Sequence, residues 1–117
     1  MIKLDLRPKK ELVVLQSEKG EQEYYISEMT AEERDDYLQA LSSRVKVDEE
    51  GRPQGLKDFR GIQAELLSRC LRTKKGELVK KEEIQSWPSS VVTSLYEIAQ
   101  KINLLSEGEG EKILGKI

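Results

Sequence analysis

Ile2, Leu4 and Leu6 alternate with Lys3, Asp5 and Arg7, which places three aliphatic side chains on one face of a period-2 strand. Pro8 ends that pattern, because proline cannot continue a ladder. Glu11–Gln16 holds the run Leu12-Val13-Val14-Leu15, too short for a helix and rich in β-branched residues. Ser17-Glu18-Lys19-Gly20 supplies a turn in which glycine can take a positive φ, and Glu23-Tyr24-Tyr25-Ile26 makes the return strand. The pattern predicts a hairpin pairing 11–16 with 22–27, with 2–7 as a third strand. A hairpin alone is marginal in water, so this sheet must pack on helices later in the chain.

From residue 30 the period changes. Thr30-Ala31-Glu32-Glu33 has the form of a capping box, and Asp35 and Asp36 add acids to a helix start. Tyr37, Leu38, Leu41 and Val45 come next at helical spacing and predict a helix over 31–45. Val47–Pro53 is turn-rich, and its acids Asp48, Glu49 and Glu50 lack the alternation and terminal Glu of a calcium loop, which makes it a solvated turn. Asp58 caps a second predicted helix whose stripe is Phe59, Ile62, Leu66 and Cys70, widened by Leu67 and Leu71. Gly61 falls inside that helix, and Gly76 is placed to end it. Lys81–Ser86 reads as a short helix closed by Trp87-Pro88. Val91, Leu95, Ile98, Ile102 and Leu105, with Val92 and Ala99, then form the longest apolar face in the chain, with Trp87 as the lid over that core. The expected fold class is α+β. An N-terminal antiparallel hairpin or small sheet packs on three main helices plus one short one, as a single domain over 1–105. Residues 106–117 form a flexible glycine-rich tail.

Composition narrows the chemistry. Of 117 residues, 31 are Leu, Ile, Val or Phe, enough for a thin core in a chain that is 36% charged. With no histidine there is no imidazole base and no Ser-His or Cys-His pair, and one cysteine cannot complete a Cys/His zinc site. Neighbouring acids at Asp35/Asp36 and Glu82/Glu83 diverge by about 100° around a helix and suit its dipole rather than a catalytic pair. The lone Cys70 sits on an apolar stripe and reads as buried and inert, in keeping with a reducing cytoplasm. The longest unbroken apolar run is four residues, far short of a membrane span, and the alternating, charged start is no signal peptide. These observations point away from an enzyme and imply no cofactor.

Net charge is −2, yet 51–81 carries +6 between acidic flanks. A small nucleic-acid-associated regulator using that basic segment is therefore one reading. It is weakened because Phe59 is the only aromatic there to stack on a base, and because the flanks can neutralise the patch within the fold.

Several blocks carry a resemblance. They are Thr30-Ala31-Glu32-Glu33-Arg34-Asp35-Asp36-Tyr37-Leu38, Gly55-Leu56-Lys57-Asp58-Phe59-Arg60-Gly61-Ile62-Gln63-Ala64, and Leu66-Leu67-Ser68-Arg69-Cys70-Leu71. Further on come Glu82-Glu83-Ile84-Gln85-Ser86-Trp87-Pro88-Ser89-Ser90-Val91-Val92 and a helix ending Ile102-Asn103-Leu104-Leu105. Over about residues 22–105 the chain resembles the tail assembly chaperones of long-tailed (siphovirus-type) bacteriophages and prophages. It departs from them at Lys80, which stands where Ser or Thr would cap the short helix. The resemblance implies a non-catalytic cytoplasmic protein that coats the tape-measure protein, keeps it soluble, helps recruit tail-tube subunits and is absent from the mature virion. A coat needs many copies, so a homo-oligomer is expected. Such a domain works by covering apolar helical stripes that would otherwise aggregate.

Candidate partner-binding residues are Tyr24, Tyr25 and Ile26, as an exposed strand edge, and Ile113, Leu114 and Ile117, an apolar patch with nothing after it in this sequence to cover it. The resemblance further implies a longer form made by a ribosomal −1 frameshift. Leu114-Gly115-Lys116 is compatible with a slippery heptamer, and Gly115-Lys116 is the only Gly-Lys pair in the chain.

Overall fold

A two-residue loop at Glu18-Lys19 reverses the chain. Its closing glycine, Gly20, adopts φ +118°, and the Ser17 hydroxyl accepts from the Lys19 amide at 3.2 Å. In the computed structural model, which describes residues 1–56 and 61–105, the flanking strands are β1 (Lys10–Ser17) and β2 (Gly20–Ser27). Their antiparallel register runs from Ser17↔Gly20 to Lys10↔Ser27, the hairpin that the alternation predicts. Helix α1 (Ala31–Ser42) starts on the capping box. Glu33 N–H donates to the Thr30 hydroxyl at 3.1 Å, and Thr30 N–H donates to the Glu33 carboxylate at 2.9 Å.

The chain then makes a small second sheet from β3 (Val45–Val47) and β4 (Pro53–Leu56), joined across the Asp48 turn. The Asp48 carboxylate caps that turn by accepting from the Glu50 and Arg52 amides. Helix α2 (Ile62–Leu67), strand β5 (Leu71–Thr73), helix α3 (Lys81–Gln85) and helix α4 (Ser89–Ile102) complete the order. The main sheet is ordered β1-β2-β5, antiparallel throughout. With four helices among the described residues, the fold is α+β with an N-terminal hairpin.

The core lies between the inner face of that sheet and the helices. Ile26, Leu66, Leu67, Cys70, Leu71 and Ile84 are its largest fully buried side chains. Tyr24 and Ile26 from β2, Leu71 from β5, and Val92, Leu95 and Ala99 from α4 join them. Trp87 packs on the rim, edge-on to Tyr24 with ring centroids 5.8 Å apart, in the covering position expected of it. At the opposite end of α4, Asn103 ties the helix to the segment before α1. Its Oδ1 accepts from Met29 N–H at 2.7 Å and its Nδ2 donates to the Ala99 carbonyl at 2.9 Å.

Several expectations need correction. Residues 1–9 form no strand, and the third strand of the sheet is β5, which lines the far side of β2. Helix α1 stops at Ser42 rather than 45, because Val45–Val47 is taken into the β3–β4 pair. Gly61 is not inside a helix. It adopts φ +68° before α2, a left-handed turn that a helix interior cannot contain. The apolar stripe continues past Leu67, but the backbone does not, since Leu71–Thr73 pairs with Tyr24–Ile26. Gly76, at φ +93°, turns the chain after β5 instead of ending a helix. Asp58 and Phe59 lie outside the described residues. Lys80 does precede α3 as its N-cap, without a side-chain capping bond.

Candidate interaction surface

β2 is the central strand, with β1 on one side and β5 on the other. The expected partner edge at Tyr24, Tyr25 and Ile26 therefore does not exist. Ile26 is completely buried, Tyr24 is buried against Trp87, and only Tyr25 faces outward. The second candidate patch, Ile113, Leu114 and Ile117, with the frameshift positions Gly115 and Lys116, lies outside the described residues.

The structure presents two other surfaces. One is the outer face of the main sheet. Leu12 stands opposite Tyr25, Tyr25 opposite Arg72, and Arg72 is bridged to Leu78, so these four side chains form a row across the sheet. Leu12 is 79% exposed and Leu78 40%, and Val14 beside Leu12 is exposed as well. Lys10 lies over the Tyr25 ring at 5.0 Å, a cation held against the same face. The start of α1 reaches this face, where Glu33 meets Arg72, but Leu12, Val14 and Leu78 remain exposed and are able to take an apolar stripe from another chain.

The other surface is the free edge of β1. In the hairpin ladder the odd residues of β1 are hydrogen-bonded to β2, continuing to Lys9, whose carbonyl accepts from Glu28 N–H at 2.8 Å. The N–H and C=O groups of Lys10, Leu12, Val14 and Gln16 consequently point away from β2, and no strand among the described residues pairs with them. Beside this edge runs a groove of about 730 Å³, bounded by β1 residues such as Leu15 on one wall and by Trp87, Pro88 and Val91 on the other. Glu18 and Glu83 make its rim acidic.

Arg69, Arg72, Lys74 and Lys81 of the basic segment meet carboxylates within the fold. Arg69 pairs with Asp36 at 2.8 Å and Glu65 at 2.7 Å, Lys81 pairs with Glu65 at 2.6 Å, and Lys74 approaches Glu23 at 3.6 Å. Arg72 reaches Glu33 at 3.7 Å and donates to the Gly76 carbonyl. Glu65 is the hub, its side chain 8% exposed and also paired with Arg44 at 2.9 Å. Burial opposes its ionisation, but hydrogen bonds from Lys81 and Arg69 and their charges prevail and hold its carboxyl down to about 2. Cys70 is fully buried, and desolvation, helped by the nearby Glu33 charge, pushes its thiol up to about 12. Among the described residues no cluster of three or more His, Cys, Asp or Glu gathers to hold a metal, and no helix is long and apolar enough to cross a membrane.

The outer face had one signal in the sequence. Leu12-Val13-Val14-Leu15 is apolar at every position, which in a strand means two apolar faces, whereas one packed face needs only alternation. The chain matches no family model, no curated protein and no solved structure.

Proposed function

We propose that the protein is a non-catalytic tail assembly chaperone of a long-tailed phage or prophage, which covers apolar helical stripes of the tape-measure protein in the host cytoplasm and helps recruit tail-tube subunits. The observation that carries this reading is the row Leu12–Tyr25–Arg72–Leu78 on the outer sheet face, with Leu12 and Leu78 exposed at its ends and Val14 exposed beside it, in a chain otherwise dominated by charge. The sequence resemblance over residues 22–105 supplies the identity of the partner. A longer frameshifted form and absence from the finished particle belong to the same reading. The nucleic-acid alternative loses support from the carboxylates that pair with Arg69, Arg72, Lys74 and Lys81.

Coexpression with the tape-measure protein that this reading expects to be encoded beside the gene tests the proposal. The wild-type chain is expected to raise the soluble yield of that partner. Leu12→Glu combined with Leu78→Glu should abolish the effect while leaving the thermal transition of the chaperone in place, since both side chains are exposed. An unchanged soluble yield with the wild-type chain rejects the reading.

A further inference from the structure

The segment before β1 and the edge of β1 are each incomplete in a complementary way. Ile2, Leu4 and Leu6 are 87, 88 and 100% exposed, although they alternate with polar residues as one buried face of a strand should. The edge of β1, with its groove against Trp87 and Val91, offers unpaired backbone groups and an apolar wall. We propose that residues 2–7 of one copy add as an antiparallel strand to the β1 edge of a second copy, with Ile2, Leu4 and Leu6 filling that groove.

One register satisfies every position. Lys3 opposite Gln16, Asp5 opposite Val14 and Arg7 opposite Leu12 place three donor residues against the β1 residues whose backbone groups point to the free edge. Leu4 then lies beside Leu15, which lines the groove with Trp87 and Val91, and Leu6 follows on the same inner face beside Val13, which packs against the core. Lys3, Asp5 and Arg7 stay on the outer face without a like charge opposite them. Lys3 approaches the acidic rim at Glu18. Pro8 falls opposite Glu11, where the backbone N–H faces away from the new ladder, so its missing donor costs nothing.

The same chain cannot make this contact with itself. Lys9 is still held in the β1–β2 ladder, its carbonyl accepting from Glu28 N–H at 2.8 Å and its amide donating to the Glu28 carboxylate at 3.1 Å, and Lys10 pairs with Ser27. Reversal in this register requires Lys9 and Lys10 as the loop, so the donor must come from another molecule. Each copy gives one strand and accepts one, which closes a reciprocal pair or ring, or propagates head to tail. The inference concerns the groove and edge and does not depend on what the outer face covers.

Sedimentation velocity on full-length variants tests it. The wild-type chain is expected to associate with increasing concentration. Leu4→Asp disables the donor by aiming a carboxylate at the apolar wall and acidic rim, and Val14→Pro disables the acceptor by removing an edge N–H that β2 does not use. Each should weaken self-association by at least about tenfold, equivalent to about 1.4 kcal/mol. Mixed together they should recover a one-to-one heterodimer, because one retains the groove and the other the strand. Val91→Asp, on the opposite wall, replaces Val14→Pro should that variant lose the far-ultraviolet circular dichroism of the wild type. A wild-type chain that stays monomeric at its highest soluble concentration overturns the inference. So does association that persists in Leu4→Asp, which would indicate β1 pairing with β1 or capture of the C-terminal residues, and so does a mixture without heterodimer.

Discussion

Glu65→Gln isolates the strongest electrostatic feature of the fold. The Glu65 carboxylate receives Lys81 at 2.6 Å, Arg69 at 2.7 Å and Arg44 at 2.9 Å, and its side chain is 8% exposed. Its carboxyl drops from an ordinary value of 4.5 to about 2, which at 1.36 kcal/mol per unit converts to roughly 3 kcal/mol of linked stability. Because Lys81 is 41% exposed and Arg69 keeps Asp36, solvent screening and the second partner reduce the expected loss to about 2 kcal/mol.

The sign is set by the direction of the shift. A carboxyl whose folded value lies below its unfolded value contributes in full above about pH 4.5, and the contribution disappears as pH falls toward 2. Urea unfolding of wild type and Glu65→Gln at neutral pH should therefore differ by about 2 kcal/mol, and the difference should shrink steadily between pH 4.5 and 2. A neutral-pH difference below about 0.5 kcal/mol, the size of an ordinary surface substitution, refutes the argument. A difference that is constant across the acid range refutes it equally, since it would arise from packing alone.

Two more outcomes rest on single residues. Leu104 occupies a left-handed position, φ 56°, just after α4, where the Leu105 amide reaches back to the Gln100 carbonyl at 2.7 Å and the Leu104 amide to Lys101 at 3.2 Å. Leu104 is largely exposed, so Leu104→Gly should remove backbone strain at little packing cost and stabilise the fold by about 0.5–1 kcal/mol, read as a higher Tm; a lower Tm contradicts it. Cys70, buried with its thiol pushed up to about 12, should resist a thiol reagent at neutral pH until urea unfolds the chain, and labelling as fast as in a short peptide would place it elsewhere than the core.

Local chemistry made part of the fold legible. The β1–β2 hairpin, the Thr30/Glu33 box and the Trp87-Pro88 break before α4 each rest on interactions within a few residues, and each is where the pattern puts it. Strand β5 was not legible, because Leu66, Leu67, Cys70 and Leu71 satisfy helical spacing, and the backbone of Leu71–Thr73 is decided by the unfilled side of β2, more than forty residues away in sequence. The same event removed the expected partner edge: a hairpin strand has a free side only until a third strand arrives, and it arrived on β2 rather than on β1. The pair β3–β4 escaped notice since only its turn at Asp48 carries a strong signal. Asn103 was also invisible, as a lone amide at a helix end reveals nothing about the Met29 N–H that it caps.

The leftover features share a location, the places where apolar surface remains uncovered. Among the described residues, Met1, Ile2, Leu4, Leu6, Leu12, Val14, Leu78 and Leu104 are the exposed large hydrophobics. All but Leu104 lie on the segment before β1, on β1 itself or at the bridge to β5. Helices α1 and α4 instead present charge or half-buried side chains at their surfaces. Uncovered hydrophobicity concentrated on extended backbone favours association by added strands and flat sheet contacts over the interlocking of helices. Pairing of Arg69 and Lys81 with Glu65 and Asp36 lowers the positive potential that this part of the basic segment would show to a polyanion. A chain built this way can use the β1 edge and groove for its own copies and keep the Leu12–Leu78 row for a different polypeptide. On the proposed reading, coating a long partner requires that division, since a surface occupied by self-assembly is no longer open to the cargo.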